Sequence, residues 1–336
     1  MAMNWVNKTA YVLFGLSFVY LACSCNNANK QSEVLQVNVQ HRSDFNIHFD
    51  GNVSRLFVND EETIVVLTQH EPFFSVLSID EKRLVTSFGR KGRANGELNS
   101  VPQGVNLRKG QLQYFDHAAR SLVSLSIPEG FMYTQVVPYS PGFRPMRAIM
   151  VGETLIVTGG LDKGRVAYLH PDQNVTWGEE YPFDTGSLSG INRGATLQCD
   201  LVCAPDIQRF MIRTMASDCF EIYRINGNEA ERVYVNKFKY PPVIENSRVD
   251  FQRSLAGYIR SYVDNTNIYL MYSEESYQES SSIGLVSDTI HVFDWDGSLV
   301  KTIHLPEKVG AFCVKDTVLF ATLEYPDHTE IVRYEI

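Results

Sequence analysis

Four arginines and one tyrosine are the side chains of this sequence best suited to contact a ligand. They are Arg144 and Arg147 in FRPMRA, Arg193 in GINRGA, and Tyr258 and Arg260 in GYIRSY. A guanidinium group binds a carboxylate through a planar fork of hydrogen bonds, and an aromatic ring can stack on a sugar. The set therefore predicts contacts to an anion or a glycan, unless these arginines pair with the many acidic side chains of the surface.

No motif of a known catalytic chemistry accompanies these residues. The sequence has no G-x-S-x-G elbow, no H-E-x-x-H, no phosphate loop and no dinucleotide fingerprint. The acids of FDWDGSL do not match the repeated Ser-x-Asp-x-Gly-x-x-Trp pattern of sialidases and are typical of a turn. His291 and His304 fall on facing strands of one hairpin, but two histidines do not make a metal site. The motifs thus predict no catalytic residue, no metal and no cofactor.

Four cysteines follow the N-terminal region, at positions 199, 203, 219 and 313. Cys199 and Cys203 are four positions apart, which is irregular for a metal motif. A disulfide within residues 199–219 is an alternative if the chain is exported to an oxidising compartment. Buried thiols are the simpler expectation.

The first 25 residues have the character of an export signal. Lys8 is their only charge, and the apolar run of residues 9–22 is shorter than the roughly 20 residues that a membrane-spanning helix needs. A cysteine directly after such a run resembles the bacterial lipoprotein signal, in which the thiol takes a diacylglyceryl group and becomes the new N-terminus. Cys25 fits this role better because small residues stand one and three positions before it, and Cys23 is the alternative.

The composition favours an all-β fold without affinity for nucleic acid. Among 336 residues there are 17 Tyr and 19 Phe, and strand-forming residues abound while no long stretch has helical apolar spacing. The net charge of −9 is spread along the chain. Because no cluster of lysine and arginine could neutralise phosphates, nucleic acid is not an expected partner.

A repeating hairpin sets the architecture, and its clearest copy is Asp288–Pro306, which reads as strand, DWDG turn and strand. Weaker copies divide the chain into six units of about 50 residues, a spacing typical of propeller blades. The first five units have four strands and the sixth has three, while Glu33–Val39 forms a spare strand. We therefore expect a six-bladed β-propeller in which this N-terminal strand completes the last blade. The serine-rich insertion at residues 277–287 is predicted to be a solvated loop.

One linker and the overall pattern resemble known propellers. Residues 88–98, FGRKGRANGEL, followed by Pro102 and Gly104, resemble the linker between blades of NHL-repeat propellers. Together with the lipoprotein signal, the six units and the VFDWDGSLVKTI hairpin, they make the chain similar to the uncharacterised TolB-like six-bladed propeller lipoproteins of Bacteroidetes. The resemblance implies a propeller fold and an envelope location, and it carries no established activity.

The expected organisation is a signal peptide at 1–24, a polar tether at 25–32 and the propeller at 33–336. We expect a lipid-anchored binding or scaffold module that presents the mouth of its central channel, or one flat face, to a protein, peptide or glycan. The alternative is a hydrolase or lyase with its active site at the channel mouth, because such sites are assembled from distant blades. Since the residues after the cysteine contain a single acid, an outer-membrane lipoprotein facing the periplasm is preferred over a surface-exposed one.

Overall fold

Six β-sheets of four or five strands, and one short two-stranded hairpin, are present in the described part of the chain. The computed structural model describes residues 34–59, 62–94, 97–108, 110–127, 132–138, 142–227 and 229–336. In each of the six larger sheets, consecutive strands of the chain pair in order from an inner strand to an outer one, and two of these sheets gain one more outer strand from the N-terminal part of the chain. The predicted all-β, six-bladed propeller is confirmed.

The elements have the following bounds. Two strands precede the first blade: β1 (Leu35–Asn38) and β2 (Asn46–Phe49). Blade 1 contains β3 (Val53–Val58), β4 (Thr63–Thr68), β5 (Phe74–Ser78) and β6 (Arg83–Phe88), and blade 2 contains β7 (Asn106–Arg108), β8 (Gln111–Asp116), β9 (Ser121–Ser126) and β10 (Met132–Val136). Blade 3 contains β11 (Phe143–Val151), β12 (Thr154–Leu161), β13 (Val166–Leu169) and β14 (Val175–Trp177). Helix α1 (Gly190–Thr196) leads into blade 4, which contains β15 (Cys199–Cys203), β16 (Arg209–Thr214), β17 (Phe220–Asn226) and β18 (Glu229–Val235).

A short hairpin of β19 (Ile244–Glu245) and β20 (Arg248–Val249) leads into blade 5. That blade contains β21 (Leu255–Val263), β22 (Asn267–Ser276), β23 (Ser287–Asp294) and β24 (Leu299–Val309), with helix α2 (Tyr277–Ser282) between its second and third strands. Blade 6 contains β25 (Phe312–Lys315), β26 (Val318–Glu324) and β27 (Thr329–Glu335).

The hydrophobic core is divided among the contacts between blades. The middle strands β4 and β5 are buried along nearly their whole length, whereas the outer strand β6 is exposed or half-buried. Middle strands lose alternation because a neighbouring blade covers each face of the sheet. Six apolar clusters result, one for each pair of successive blades, and the cluster that contains Phe45, Ile47 and Phe320 joins blade 6 to blade 1.

An N-terminal strand completes the last blade as predicted, but it is not the strand expected at residues 33–39. The outer strand of blade 6 is β2, which pairs antiparallel with β27. Strand β1, which lies within residues 33–39, instead pairs parallel with β24 and becomes a fifth strand of blade 5. Burial explains the difference, because Phe45 and Ile47 at β2 are buried whereas β1 is mostly exposed.

The hairpin identified from the sequence is present in blade 5. Strands β23 and β24 pair antiparallel, with Phe293 opposite Leu299. In the turn between them, the Asp294 carboxylate accepts hydrogen bonds from the backbone N–H groups of Asp296 and Ser298 at 3.0 and 2.8 Å. The acids of DWDG are therefore turn residues, as predicted.

The insertion in blade 5 is more ordered than a solvated loop, and that prediction is wrong. Residues 277–282 form α2, which begins with a reciprocal capping box between Ser276 and Glu279. Ser280 on this helix is fully buried. The Ser-x-x-Glu spacing within this serine-rich stretch is a helix start, because the side chains of Ser276 and Glu279 each accept a hydrogen bond from the backbone N–H of the other.

The four cysteines of the described residues are free and buried. Burial raises the pKa of the Cys203 thiol to about 11 and that of Cys219 to about 12. The expectation of plain buried thiols is confirmed for Cys199, Cys203, Cys219 and Cys313.

Candidate functional site

A cavity of about 280 Å³ lies at the centre of the ring. Residues of the inner strands β3, β7, β15 and β21 line it, together with Ala311 and Phe312 at the start of β25. The inner strand of blade 3 is not part of the lining. Instead, Asn106 of blade 2 bonds directly to blade 4. Its side-chain amide donates to the carbonyl of Leu201 at 3.0 Å and accepts from the backbone N–H of Cys203 at 3.0 Å.

The cavity opens at the face of the ring where the inner strands end. Its mouth is formed by Asn59, Gly110, Pro205 and Asp206, which follow the C-terminal ends of β3, β7 and β15. Gly110 and Asp206 are exposed. The opposite end of the cavity, which we call the arginine floor, consists of Arg55, Asp200, Arg213 and Arg260.

Asp200 is the centre of the arginine floor and connects three blades. Its carboxylate forms an ion pair with Arg55 of blade 1 and a second one with Arg213 at 3.5 Å, and it accepts a hydrogen bond from the Ser261 hydroxyl of blade 5 at 2.8 Å. Burial alone would raise the pKa of Asp200, but the charges of Arg55 and Arg213 outweigh it and hold this pKa well below its usual range. The carboxylate is therefore charged at neutral pH.

Arg213 of blade 4 is bonded to blade 5 beside Gly257, where the two blades approach closely. This glycine has φ of +61°, and a Cβ there would lie 2.2 Å from the carbonyl oxygen of Ser217, so only glycine fits. The next residue, Tyr258, donates its N–H to that same carbonyl at 3.1 Å. Its own carbonyl then accepts a hydrogen bond from the Arg213 guanidinium.

The arginine floor carries more positive than negative charge. Three guanidinium groups, those of Arg55, Arg213 and Arg260, face the single carboxylate of Asp200. Burial lowers the pKa of Arg213 even against the attraction of Asp200. Burial together with the charges of Arg213 and Arg55 lowers the pKa of Arg260, and the charges of Glu324 and Asp200 oppose this shift. Their Nε atoms are buried, and neither has a hydrogen-bond partner among the described residues.

Helix α2 and the turn after it lie close to Arg260 and Arg213. Arg260 donates to the carbonyl of Gly284 at 3.2 Å, directly after α2. Burial raises the pKa of Tyr277 at the start of α2, and the charges of Arg213 and Arg260 oppose that shift. The insertion of blade 5 therefore borders the arginine floor.

The residues predicted from the sequence are not all brought together. Arg260 is part of the arginine floor. Arg147 is half-buried and donates to the carbonyl of Met146 at 2.9 Å, and its charge contributes to the low pKa of Asp200 from outside the lining. Arg144 is exposed near the start of β11.

Arg193 and Tyr258 lie elsewhere. Arg193, on α1, forms an ion pair with Glu180 at 2.9 Å, and its guanidinium lies over the Tyr181 ring at 4.9 Å from the ring centre. The Tyr258 side chain is buried between blades 4 and 5, with its hydroxyl 3.4 Å from Nδ1 of His291. Neither side chain lines the cavity.

Sequence reasoning missed Arg55, Asp200, Arg213 and Ser261. Arg55 in SRLFV and Ser261 in YIRSYV occupy inner strands, and this position is a signal that could have marked them. Arg213 lies on a second strand, in FMIRTM, and nothing in its local pattern separates it from a surface residue. Asp200 lies in the apolar stretch CDLVC, between Cys199 and Leu201. A buried carboxylate without a partner is costly, and this surrounding is a signal that Asp200 needs a positively charged partner.

The remaining sequence predictions concern the N-terminal cysteines, metal binding and membrane-spanning helices. Cys25, Cys23 and the segments 1–24 and 25–32 lie outside the described residues. Among the described residues, no group of three or more histidine, cysteine or acidic side chains is arranged to hold a metal ion, and no helix has the length and apolar character needed to cross a membrane. His291 and His304 lie on paired strands, where their direct partners are Thr302 and Thr289.

The model of the TolB-like 6-blade propeller-like family matches residues 28–317. A comparison with curated proteins found no match. Among solved structures, the chain is similar to a protein of Bacteroides fragilis NCTC 9343 described as exported, with a TM-score of 0.55, 11% identity, and coverage of 90% of this chain and 100% of that one.

A second similar structure is the β-propeller domain of Cps50 (Swd1) from Myceliophthora thermophila. It has a TM-score of 0.51 and 9% identity, and the match covers 89% of this chain and 99% of that one. At such identities these structures support the fold alone.

Proposed function

The chain belongs to the TolB-like six-bladed propeller family, and we propose that it is a lipid-anchored binding module of the cell envelope. The β-propeller fold suits a binding or scaffold module. In this proposal the central cavity accepts a protruding group of a protein, peptide or glycan through the mouth at Asn59, Gly110, Pro205 and Asp206.

The observation that carries this proposal is the cavity itself. Its volume of about 280 Å³ lies close to the lower end of the roughly 300–1,000 Å³ of small-molecule sites. Apolar walls and a few convergent polar groups line it, as in typical ligand pockets. A cavity of this size suits one group of a larger partner, such as a side chain, a chain end or a sugar.

The ionisable groups of the cavity favour binding over a hydrolase or lyase reaction. General acid–base catalysis works best with a pKa near the operating pH. The pKa of Asp200 is held far below that range and the pKa of Cys203 is raised to about 11, while arginine does not deprotonate in proteins. The lining thus offers fixed charges, which suit recognition.

Cross-linking from inside the cavity tests the binding site. A photoreactive amino acid replaces Leu107, which lines the cavity, or Val233, which is exposed on the outer strand β18. In cells that produce the protein, we expect an adduct from position 107 alone, and we expect the substitution Val58→Trp in the cavity wall to suppress it. Equal adducts from both positions, or an adduct that survives the blocked cavity, would contradict the proposal.

The envelope anchor is supported by the apolar run at residues 9–22 and the cysteines that follow it. A protein of similar fold is described as exported. Replacing Cys23 and Cys25 together by Ser should release the protein from membranes, and each single replacement should identify the acylated thiol. Continued membrane association of the double variant would refute the anchor, and protease treatment of intact cells would distinguish a surface location from the preferred periplasmic one.

A further inference from the structure

The excess of positive over negative charge at the arginine floor restricts what the cavity can bind, and the following inference rests on the proposed binding function. Arg55 and Arg213 both pair with Asp200. Arg260 has no ion pair with Asp200 and donates a hydrogen bond to a neutral carbonyl, that of Gly284. The charge of Glu324 partly offsets that of Arg260, but Glu324 lies outside the cavity lining. A buried charge that faces like charges is unfavourable unless an anion joins it.

The burial of the guanidinium groups points to the same conclusion. The Nε atoms of Arg213 and Arg260 are buried without a hydrogen-bond partner among the described residues. The Arg213 side chain is only 9% exposed. Both arginines line the cavity, but their Nε atoms are too deeply buried to touch a group bound there, so such a group would contact the terminal nitrogens of the guanidinium groups. A bound anion would stabilise both buried guanidinium charges.

The walls above the floor decide which kind of anion fits. Half-buried Val58, Leu107 and Tyr262 are among the lining residues. A small inorganic anion would leave these apolar surfaces in contact with water, whereas an acid with an organic body would cover them. The planar guanidinium fork matches a carboxylate in two parallel hydrogen bonds.

We propose that the arginine floor binds the carboxylate of an organic acid, with Arg260 and Arg213 as the binding residues and the apolar walls in contact with the rest of the molecule. Asp200 positions Arg213 and Arg55 and does not contact the ligand. The carboxylate can come from a peptide chain end or from an acidic sugar, and both sources share the same chemistry at the floor.

Paired probes test this proposal on the purified full-length mature protein in detergent. Hippurate represents a peptide chain end and hippuramide is its neutral counterpart, while glucuronate and glucose form the equivalent sugar pair. By calorimetry, we expect one of the two acids to bind at least about tenfold more tightly than its neutral counterpart, because charge-assisted hydrogen bonds are lost in the latter. The acid that binds identifies the source. Equal affinities within both pairs, no binding of any probe, or tighter binding of inorganic phosphate than of either acid would overturn the proposal.

Variants connect the effect to the floor. Arg260→Gln should weaken binding of the acid about tenfold or more, and Arg260→Lys should retain part of it. Arg224→Gln is the matched control, since Arg224 is exposed, pairs with Glu231 and lies outside the cavity lining. An unchanged affinity in Arg260→Gln would overturn the assignment of this residue.

A measurement on the unmodified protein tests the same site without depending on whether the variants fold. On titration with the acid, two arginine Nε–H resonances should shift in an ¹⁵N-correlated NMR spectrum and report the same affinity as calorimetry. Unshifted arginine resonances would refute the carboxylate site. If cross-linking from position 107 persists under those conditions, the cavity still binds a partner and only the carboxylate inference fails.

Discussion

Closure of the ring should depend on β2, and the substitution Ile47→Ala tests this. Ile47 and Phe45 are buried in the cluster that joins blade 6 to blade 1, where the rings of Phe45 and Phe320 pack edge to face at 5.4 Å between centroids. Ile47 also stands opposite Ile331 in the only strand pairing that β2 makes among the described residues. Truncating Ile47 therefore weakens both the sheet and the contact between two blades.

The expected loss follows from the size of the deleted side chain. Replacing a buried isoleucine by alanine costs about 2–5 kcal/mol in free energy of unfolding. For about 300 residues the unfolding entropy is roughly 0.6 kcal/mol/K, so the melting temperature should fall by about 3–8 °C. Phe45→Ala should cost about 3–5 kcal/mol.

The control is Leu35→Ala on β1, because the Leu35 side chain is 56% exposed. Its unfolding free energy should change by no more than about 0.5 kcal/mol. Both variants are measured by differential scanning calorimetry beside the parent protein. If Ile47→Ala melts like Leu35→Ala, then β2 does not hold the ring closed and the reasoning is refuted.

Two further predictions concern buried ionisable groups. Asp200→Asn should cost about 3–5 kcal/mol because it leaves buried arginines without their counter-charge, whereas Asp296→Asn, at a side chain 80% exposed, should cost no more than about 1 kcal/mol. The folded pKa of Asp200 is depressed, so its contribution to stability is present above the unfolded pKa of about 3.9 and is lost as pH falls towards the folded pKa. The stability of Asp200→Asn should therefore depend less on pH in the acid range than that of the parent protein. An unchanged acid unfolding profile would contradict the ion pairs. The thiols of Cys203 and Cys219 should resist a thiol reagent at pH 8 until the protein unfolds, since their pKa values are about 11 and 12, and rapid labelling of the native protein would contradict their burial.

Much of the fold can be predicted from local sequence patterns. Alternating strands and the DWDG turn of blade 5 depend on contacts between residues close in the chain, so the hairpin from Asp288 to Pro306 could be identified without a structure. Counting such units predicted six blades and a closing N-terminal strand. The buried thiols also followed from the ordinary preference of cysteine for the interior.

The choice between two N-terminal strands was decided by tertiary packing. EVLQVNV and NIHF both alternate, and neither pattern reveals which one meets the free edge of β27. The outcome depends on whether Phe45 and Ile47 find an apolar partner surface between blades 6 and 1, and that surface exists only once the ring has formed. The same holds for α2, whose buried Ser280 depends on its packing against blade 5.

The arginine floor is likewise a product of the closed ring. Arg55 and Asp200 are 145 positions apart in the chain, and Asp200 and Ser261 are 61 apart. Local periodicity carries no information on such pairs, because an arginine on an inner strand has the same neighbours in sequence whether it faces a carboxylate, a ligand or water. The sequence by itself determined the blades and the supply of arginines, whereas the tertiary structure decided which of them meet at the centre, since only ring closure brings blades 1, 4 and 5 around one carboxylate.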